Sequence, residues 1–209
     1  DNSRGSSSIS TQDPAVTMYT VLIALALATA SSGIPMLLGV SAIWTVLPGL
    51  FVGVLSFIWM SRRVAKRVEA VTNAADQEMQ NMQSLAQRGG SKAQGGMLRA
   101  IDTSAARLKS GLMFQKWQLG VGTMLNARIG MLYYTKALLQ QQFGQKAGER
   151  EALREATPYL EASYITGVKA RLLSALWPAW AMLAVTYYRT ERADTAFDVL
   201  ESAVKVSKK

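Results

Sequence analysis

Apolar positions follow two regimes along this chain. From Val16 to Met60 they are almost continuous, whereas from Arg62 onward they recur every three or four residues between polar ones. The continuous regime reads as two apolar helices, Val16–Ser32 (VTMYTVLIALALATASS) and Ala42–Met60 (AIWTVLPGLFVGVLSFIWM), with Gly33 and Pro35 breaking the pattern between them. Ser41 stands where an N-cap is wanted, and Pro48 inside the second helix predicts a kink. The periodic regime predicts amphipathic helices over 62–87, 97–110, 116–142, 149–165, 174–189 and 193–207. In the first of these Val64, Val68, Val71, Ala75, Met79, Met82 and Leu85 form the apolar stripe. Nothing between Phe57 and Val71 breaks helix, so this element is expected to continue the apolar helix before it. RGGSKAQGG, 88–96, reads as a flexible loop. Strong helix formers dominate and strand-type alternation is nearly absent, so the fold class is all-α, with three helical hairpins in series after the apolar pair.

Charge sharpens the division. The 48 residues from 14 to 61 contain no Asp, Glu, Lys or Arg, while 62–209 carries 22 basic and 12 acidic residues. One membrane helix needs about 20 apolar residues, so the tract suits two helices and a turn. The domain reading is a disordered, Ser-rich tail (1–15), a transmembrane hairpin (16–61, helices 16–32 and 42–60) and a helical domain (62–209). Trp44 and Trp59 stand 15 residues apart in the sequence, roughly 22 Å of helix, a spacing that suits two interfacial belts. Ala24, Ala28 and Ser32 on one helix, and Gly49, Gly53 and Ser56 on the other, make small faces of the kind that let helices approach closely in lipid. A cleaved signal peptide fits less well, because the stretch before the first helix has no basic n-region. Arg62, Arg63, Lys66 and Arg67 follow the second helix directly and the intervening turn has no basic residue. The positive-inside rule therefore puts both termini and the helical domain in the cytoplasm, and the four cations are expected at anionic lipid headgroups rather than on nucleic acid.

A resemblance appears in 178–205, PAWAMLAVTYYRTERADTAFDVLESAVK. Trp180, Leu183, Ala184 and Tyr187, then Ala196, Leu200 and Ala203, are similar to the W-x2-L-G-x2-Y … A-x3-F-x2-A pattern of the 34-residue tetratricopeptide repeat, with Ala in place of the usual Gly. A looser copy has Ile129, Gly130 and Tyr133, then Ala156, Leu160 and Ser163, with extra residues in its turn around QQQFGQKAGERE and with Pro158 early in its second helix. A third, over 62–111, keeps only Ala100 and Ser104. With WMSRRVAKRVEAV, KWQLGVGTMLNARIGMLYY and AMLAVTYYRTERAD, the chain resembles bacterial membrane-anchored tetratricopeptide proteins. That resemblance implies a short α-solenoid, a scaffolding role and an inner-membrane location. Such an array needs its end faces covered, and the face after Lys205 is expected to meet another protein surface.

Chemistry narrows the function further. The chain has no Cys and no His. Disulfides, thiolate or imidazole metal sites and Ser–His–Asp or Cys–His catalysis are therefore excluded. No pair of carboxylates stands out as general acid and base, and RGGSKAQGG lacks both the preceding strand and the GxxxxGK[ST] spacing of a phosphate loop. The expectation is a protein without catalytic residues, cofactor or metal. Trp180, Leu183, Ala184, Tyr187, Ala196, Leu200 and Ala203 are expected in the core, while Trp177, Tyr188 and Tyr134 fall off the core spacing and are candidate interface residues. Arg150, Arg154, Lys169, Arg171 and Arg189 read as a solvated face, with Glu149, Glu151 and Glu155 pairing to arginines at i,i+4. Gly120 and Gly122 read as close-packing positions inside a helix. The function expected is a membrane-anchored scaffold that binds protein partners or copies of itself. The alternative is an accessory subunit of a larger membrane enzyme or transport complex.

Overall fold

The computed structural model describes residues 22–23, 25–30, 42–88, 91–117, 120–170, 176–190 and 192–207. Within its helices the side chains of 42–49, 83, 85–86, 88, 91–92, 168–170 and 206–207 are not described. The described residues are almost wholly helical and include no strand. Residues 22–23 and 25–30 are helical, and α1 runs unbroken from Ala42 to Arg88, 47 residues, through the join between the apolar and polar regimes. Then come α2 (Ser91–Gly111), a 3-10 turn (Leu112–Lys116), α3 (Val121–Gln142), α4 (Lys146–Ala170), α5 (Trp177–Arg189) and α6 (Ala193–Ser207). The tail 1–15, the turn 33–41 and the ends of the first apolar helix lie outside the described residues.

The chain divides into two compact units: residues up to Ser61 with Lys116–Gln118, and Arg62–Gln115 with Leu119–Lys209. In the first unit α1 exposes Leu50, Phe51, Val52, Val54, Leu55, Phe57, Ile58 and Trp59, so large apolar side chains point outward on every side but one. That side carries buried Gly53 and half-buried Ser56 and Met60. Ile23 and Leu27 of the preceding helical segment line an apolar groove with Leu55, Ser56, Trp59 and Met60. Among the described residues no helix is long and apolar enough to cross a membrane. The side chains of 42–49, which open the charge-free part of α1, lie outside that description.

In the second unit each helix packs on the next. α2 lies on α3, α3 makes its most extensive contact with α4, α4 lies on α5, α3 also reaches α5, and α5 pairs with α6. Side chains tie α1 into the same series. The Ser104 hydroxyl donates to the Ala75 carbonyl (3.2 Å), Arg107 bonds the Ala74 carbonyl and Glu78, and Arg128 of α3 pairs with Asp76 (3.3 Å). α3 is the central element, with buried residues around its circumference: Val121, Thr123, Leu125, Ala127, Ile129, Leu132, Tyr133 and Ala137. Such an all-round apolar helix is stable in water only when neighbours cover it.

Four expectations are corrected. RGGSKAQGG is not a loop, since α2 already begins at Ser91. Ala93 and Ala100 are buried, and that packing outweighs the cost of about 1 kcal/mol for each helical glycine. The helix expected from 116 starts at Val121, because Gly120 adopts φ 83°, a left-handed backbone that ends the 3-10 segment rather than joining a helix. The extra residues around QQQFGQKAGERE do not form a long turn. They lengthen α3 and α4, and only Phe143, Gly144 (φ 72°) and Gln145 connect them. Pro158 therefore sits in the middle of α4 rather than early in it. The exposed neighbouring Arg154 leaves the carbonyl that Pro158 cannot serve within reach of water.

Candidate interaction surfaces

The hairpin of α5 and α6 is organised around Trp180. Pro178 in the first turn of α5 costs no hydrogen bond there, and it leads into Ala179, Trp180, Leu183, Ala184, Thr186 and Tyr187, all buried. The indole lies against Gly167 of α4, where a Cβ would stand 2.5 Å from Cζ2. Tyr164 meets it edge-on, with centroids 5.9 Å apart. Polar bonds close the same interfaces. The Tyr187 hydroxyl donates to Glu161 (2.5 Å), Tyr164 bonds Ser202 of α6 (3.1 Å), and Arg189 reaches back to Glu149 (3.2 Å) and Gln141 (3.1 Å). Burial pushes the Tyr187 hydroxyl well above the usual tyrosine range, and the bond to Glu161 adds to the shift.

A second polar knot joins α2, α3 and α4. Lys109 donates to the Tyr133 hydroxyl (2.8 Å) and lies over the Tyr133 and Tyr159 rings, whose centroids are 6.0 Å apart. Lys136 pairs with Asp102 (2.7 Å) and Glu155 (3.8 Å). Partial burial alone would lower both lysines, but bonds to Tyr133 and Tyr159 at Lys109, and to Asp102 at Lys136, outweigh it and raise them. These charges are used up inside the fold. Glu149 and Glu155 pair across helices with Arg189 and Lys136, which corrects the i,i+4 pairing expected from sequence.

The residues expected in the repeat core divide. Trp180, Leu183, Ala184, Tyr187, Ala196 and Ala203 are buried. Leu200 is not: it is 45% exposed, and Val199 takes the inward position on α6 beside Ala196 and Ala203. The reason is geometric, since only α5 covers α6, whereas α4 is covered by both α3 and α5. Among candidate interface residues Trp177 is half exposed and Tyr188 is 72% exposed, but Tyr134 is buried beside Tyr133 and leaves the accessible surface. Central α3 is covered on the Tyr134 side as well as the Tyr133 side, which the repeat spacing alone does not foresee. Gly122 lies in α3, where a Cβ would stand 2.9 Å from Gln115, so only Gly120 departs from the close-packing expectation.

In the first unit the small face is where helix meets helix: Gly53 is buried and Ala28 and Ser56 are half-buried amid exposed Leu and Phe. Ala24 and the side of Gly49 lie outside the described residues. Arg62, Arg63, Lys66 and Arg67 are all exposed. Arg150 and Arg154 are exposed as expected of a solvated face, whereas Lys169 and Arg171 lie outside the described side chains. Among the described residues no group of three acidic side chains could hold a metal ion. The surfaces this arrangement offers are apolar or basic, suited to binding.

Sequence reasoning missed Phe197, Val185 and Val204, which are exposed beside Tyr188 and Leu200. The signal was present: α6 carries two apolar stripes, Ala196–Val199–Ala203 and Phe197–Leu200–Val204, and one neighbouring helix covers only the first. Comparison with family models, curated proteins and solved structures returns no match to this chain.

Proposed function

We propose that the chain is a membrane-anchored scaffold: a helical hairpin over 16–61 holds a tetratricopeptide-like array over 62–209 at the cytoplasmic face of a bacterial inner membrane, where it binds proteins or copies of itself. One observation carries the reading. Around α1 from Leu50 to Trp59, large apolar residues are exposed on all sides but the Gly53 side, with Leu50, Phe51 and Trp59 each above 60%. A water-facing helix does not carry such a belt, and exposed apolar patches beyond a few hundred Å² mark a partner surface or lipid. The belt stops at Arg62 with four exposed cations within six residues, the headgroup pattern of a cytoplasmic flank. Support for the array comes from the order of packing, α3 on α4, α4 on α5, α3 on α5 and α5 on α6, in which each new helix pair rests on the one before. The absence of Cys and His from the sequence favours binding over chemistry.

The test is membrane fractionation with an alkaline carbonate wash, followed by protease treatment of right-side-out and inverted vesicles. The chain is expected to stay with the membrane and to lose 62–209 only in inverted vesicles. Release by carbonate removes the anchor, and digestion from the outside reverses the orientation.

A further inference from the structure

We propose that the exposed stripe of α6 docks on the same stripe of a second copy of this chain, the two helices running antiparallel about a two-fold axis. The inference rests on the scaffold reading and names one of its partners. Phe197, Leu200 and Val204 follow one another at i, i+3 and i+7, and are 76, 45 and 42% exposed. The spacing is that of a helix–helix seam. The corresponding side of α4 is occupied in this fold: Tyr164 and Gly167 receive Trp180 of α5 there, and Leu160 is fully buried. The α6 stripe is thus a helix-receiving face.

The charges beside the stripe select the occupant. Asp194, Asp198, Glu201 and Lys205 follow at spacings of four, three and four, so they run along a single flank. The flank is polar end to end. Asp194 and Asp198 stand in its first half, and Lys205 stands in its second, with Lys208 and Lys209 next in the sequence. A parallel partner of the same kind would set like charges together. An antiparallel copy sets each acidic half against the other's basic half, and the opposed helix dipoles add to the match. The sequence elsewhere is strongly basic, with a net charge of +9 for the chain. A generic basic or acidic partner satisfies only half of this flank, whereas the chain satisfies all of it. Self-complementarity of this type closes as a two-fold dimer, the commonest symmetric assembly.

The test uses the full chain in membranes or mild detergent. The protein has no cysteine, so a single introduced one reports its own neighbourhood. Leu200→Cys lies at the middle of the stripe, close to the proposed axis, and mild oxidation is expected to give a disulfide-linked homodimer. Thr195→Cys, exposed on another side of α6, is expected to stay monomeric. Phe197→Glu in the Leu200→Cys background weakens the association about tenfold or more, roughly 1.4 kcal/mol, as a carboxylate enters an apolar contact. Asp198→Lys lowers cross-linking by roughly two- to fivefold, the range open to an exposed ion pair, and Lys205→Glu added to it restores the signal. The proposal is overturned if Leu200→Cys stays monomeric, links to a different protein, or links no better than Thr195→Cys. Each variant is checked for an unchanged thermal melt, which these exposed positions permit. Carbonate washing reads the anchor separately: a chain that stays in the membrane without cross-linking sinks the α6 pairing alone, and one that leaves the membrane while cross-linking sinks the anchor alone.

Discussion

At Gly130 the backbone of α3 comes so close to α4 that a side chain has no room. A Cβ there would stand 2.6 Å from Leu160 Cγ and Cδ2 and 3.1 Å from the Leu160 nitrogen. Leu160 is fully buried, so neither its side chain nor its backbone can yield cheaply. Gly130→Ala is expected to cost about 1–3 kcal/mol by overpacking. Gly95, inside α2, would meet nothing within 4 Å, so Gly95→Ala should instead gain about 0.5–1 kcal/mol from helix propensity. Thermal melts of the two variants moving in opposite directions check both claims. At Tyr187 the fold holds a hydroxyl protonated against Glu161. Its raised pKa means stability that is complete below about pH 10, the ordinary tyrosine value, and is lost as pH climbs beyond it. Lys109 and Lys136, also raised, lose their contributions in the same direction. Melting temperature should therefore fall steeply in the alkaline range, and Tyr187→Phe should both lower it at neutral pH by about 1–2 kcal/mol and flatten the alkaline decline. An unchanged alkaline slope in Tyr187→Phe would remove this group from the account.

At the scale of elements, burial separates two residues of α5 that the sequence treats alike. Leu183 is fully buried between α5 and its neighbours, and Val185, two positions on, is 40% exposed. Leu183→Ala is expected to cost about 2–5 kcal/mol and Val185→Ala less than about 0.5, measured by denaturant unfolding. Much of the element plan was legible. The 193–207 helix matches α6 at both ends, and the unbroken run from the apolar helix into the first polar one matches α1, because no Gly or Pro falls between Phe57 and Val71. What failed depends on context that periodicity does not carry. Glycines at 95 and 96 look like a loop until buried Ala93 and Ala100 are seen holding the helix together. QQQFGQKAGERE looks like an insertion in a turn until both flanking helices extend through it, leaving three residues around Gly144. Leu200 and Tyr134 exchanged roles for one cause: a repeat pattern states which side of a helix is apolar, and the number of neighbouring helices decides how much of that side is covered. Central α3 buries Tyr134, and α6 with one neighbour leaves Leu200 outside.

The whole molecule joins two solvents through one helix. Up to Ser61 its outward side chains are apolar, and from Arg62 they are charged. The second unit has a core of its own in Ile101, Leu125, Ile129, Leu160, Trp180 and Leu183, so residues 62–209 alone are expected to be water-soluble, helical and cooperative in a thermal melt. That fragment keeps Arg62, Arg63, Lys66 and Arg67 and loses the apolar belt, which isolates the electrostatic part of membrane attachment. Each such cation contributes about 1 kcal/mol near an anionic surface. The fragment should sediment with vesicles rich in phosphatidylserine and ignore pure phosphatidylcholine. Arg62→Gln with Arg63→Gln should weaken that binding by about an order of magnitude or more. Raising salt toward 1 M, where the screening length falls to about 3 Å, should abolish it. Equal binding to neutral and anionic vesicles would mean that the flank plays no part at the headgroups, and that the orientation of the anchor must rest on the hairpin alone.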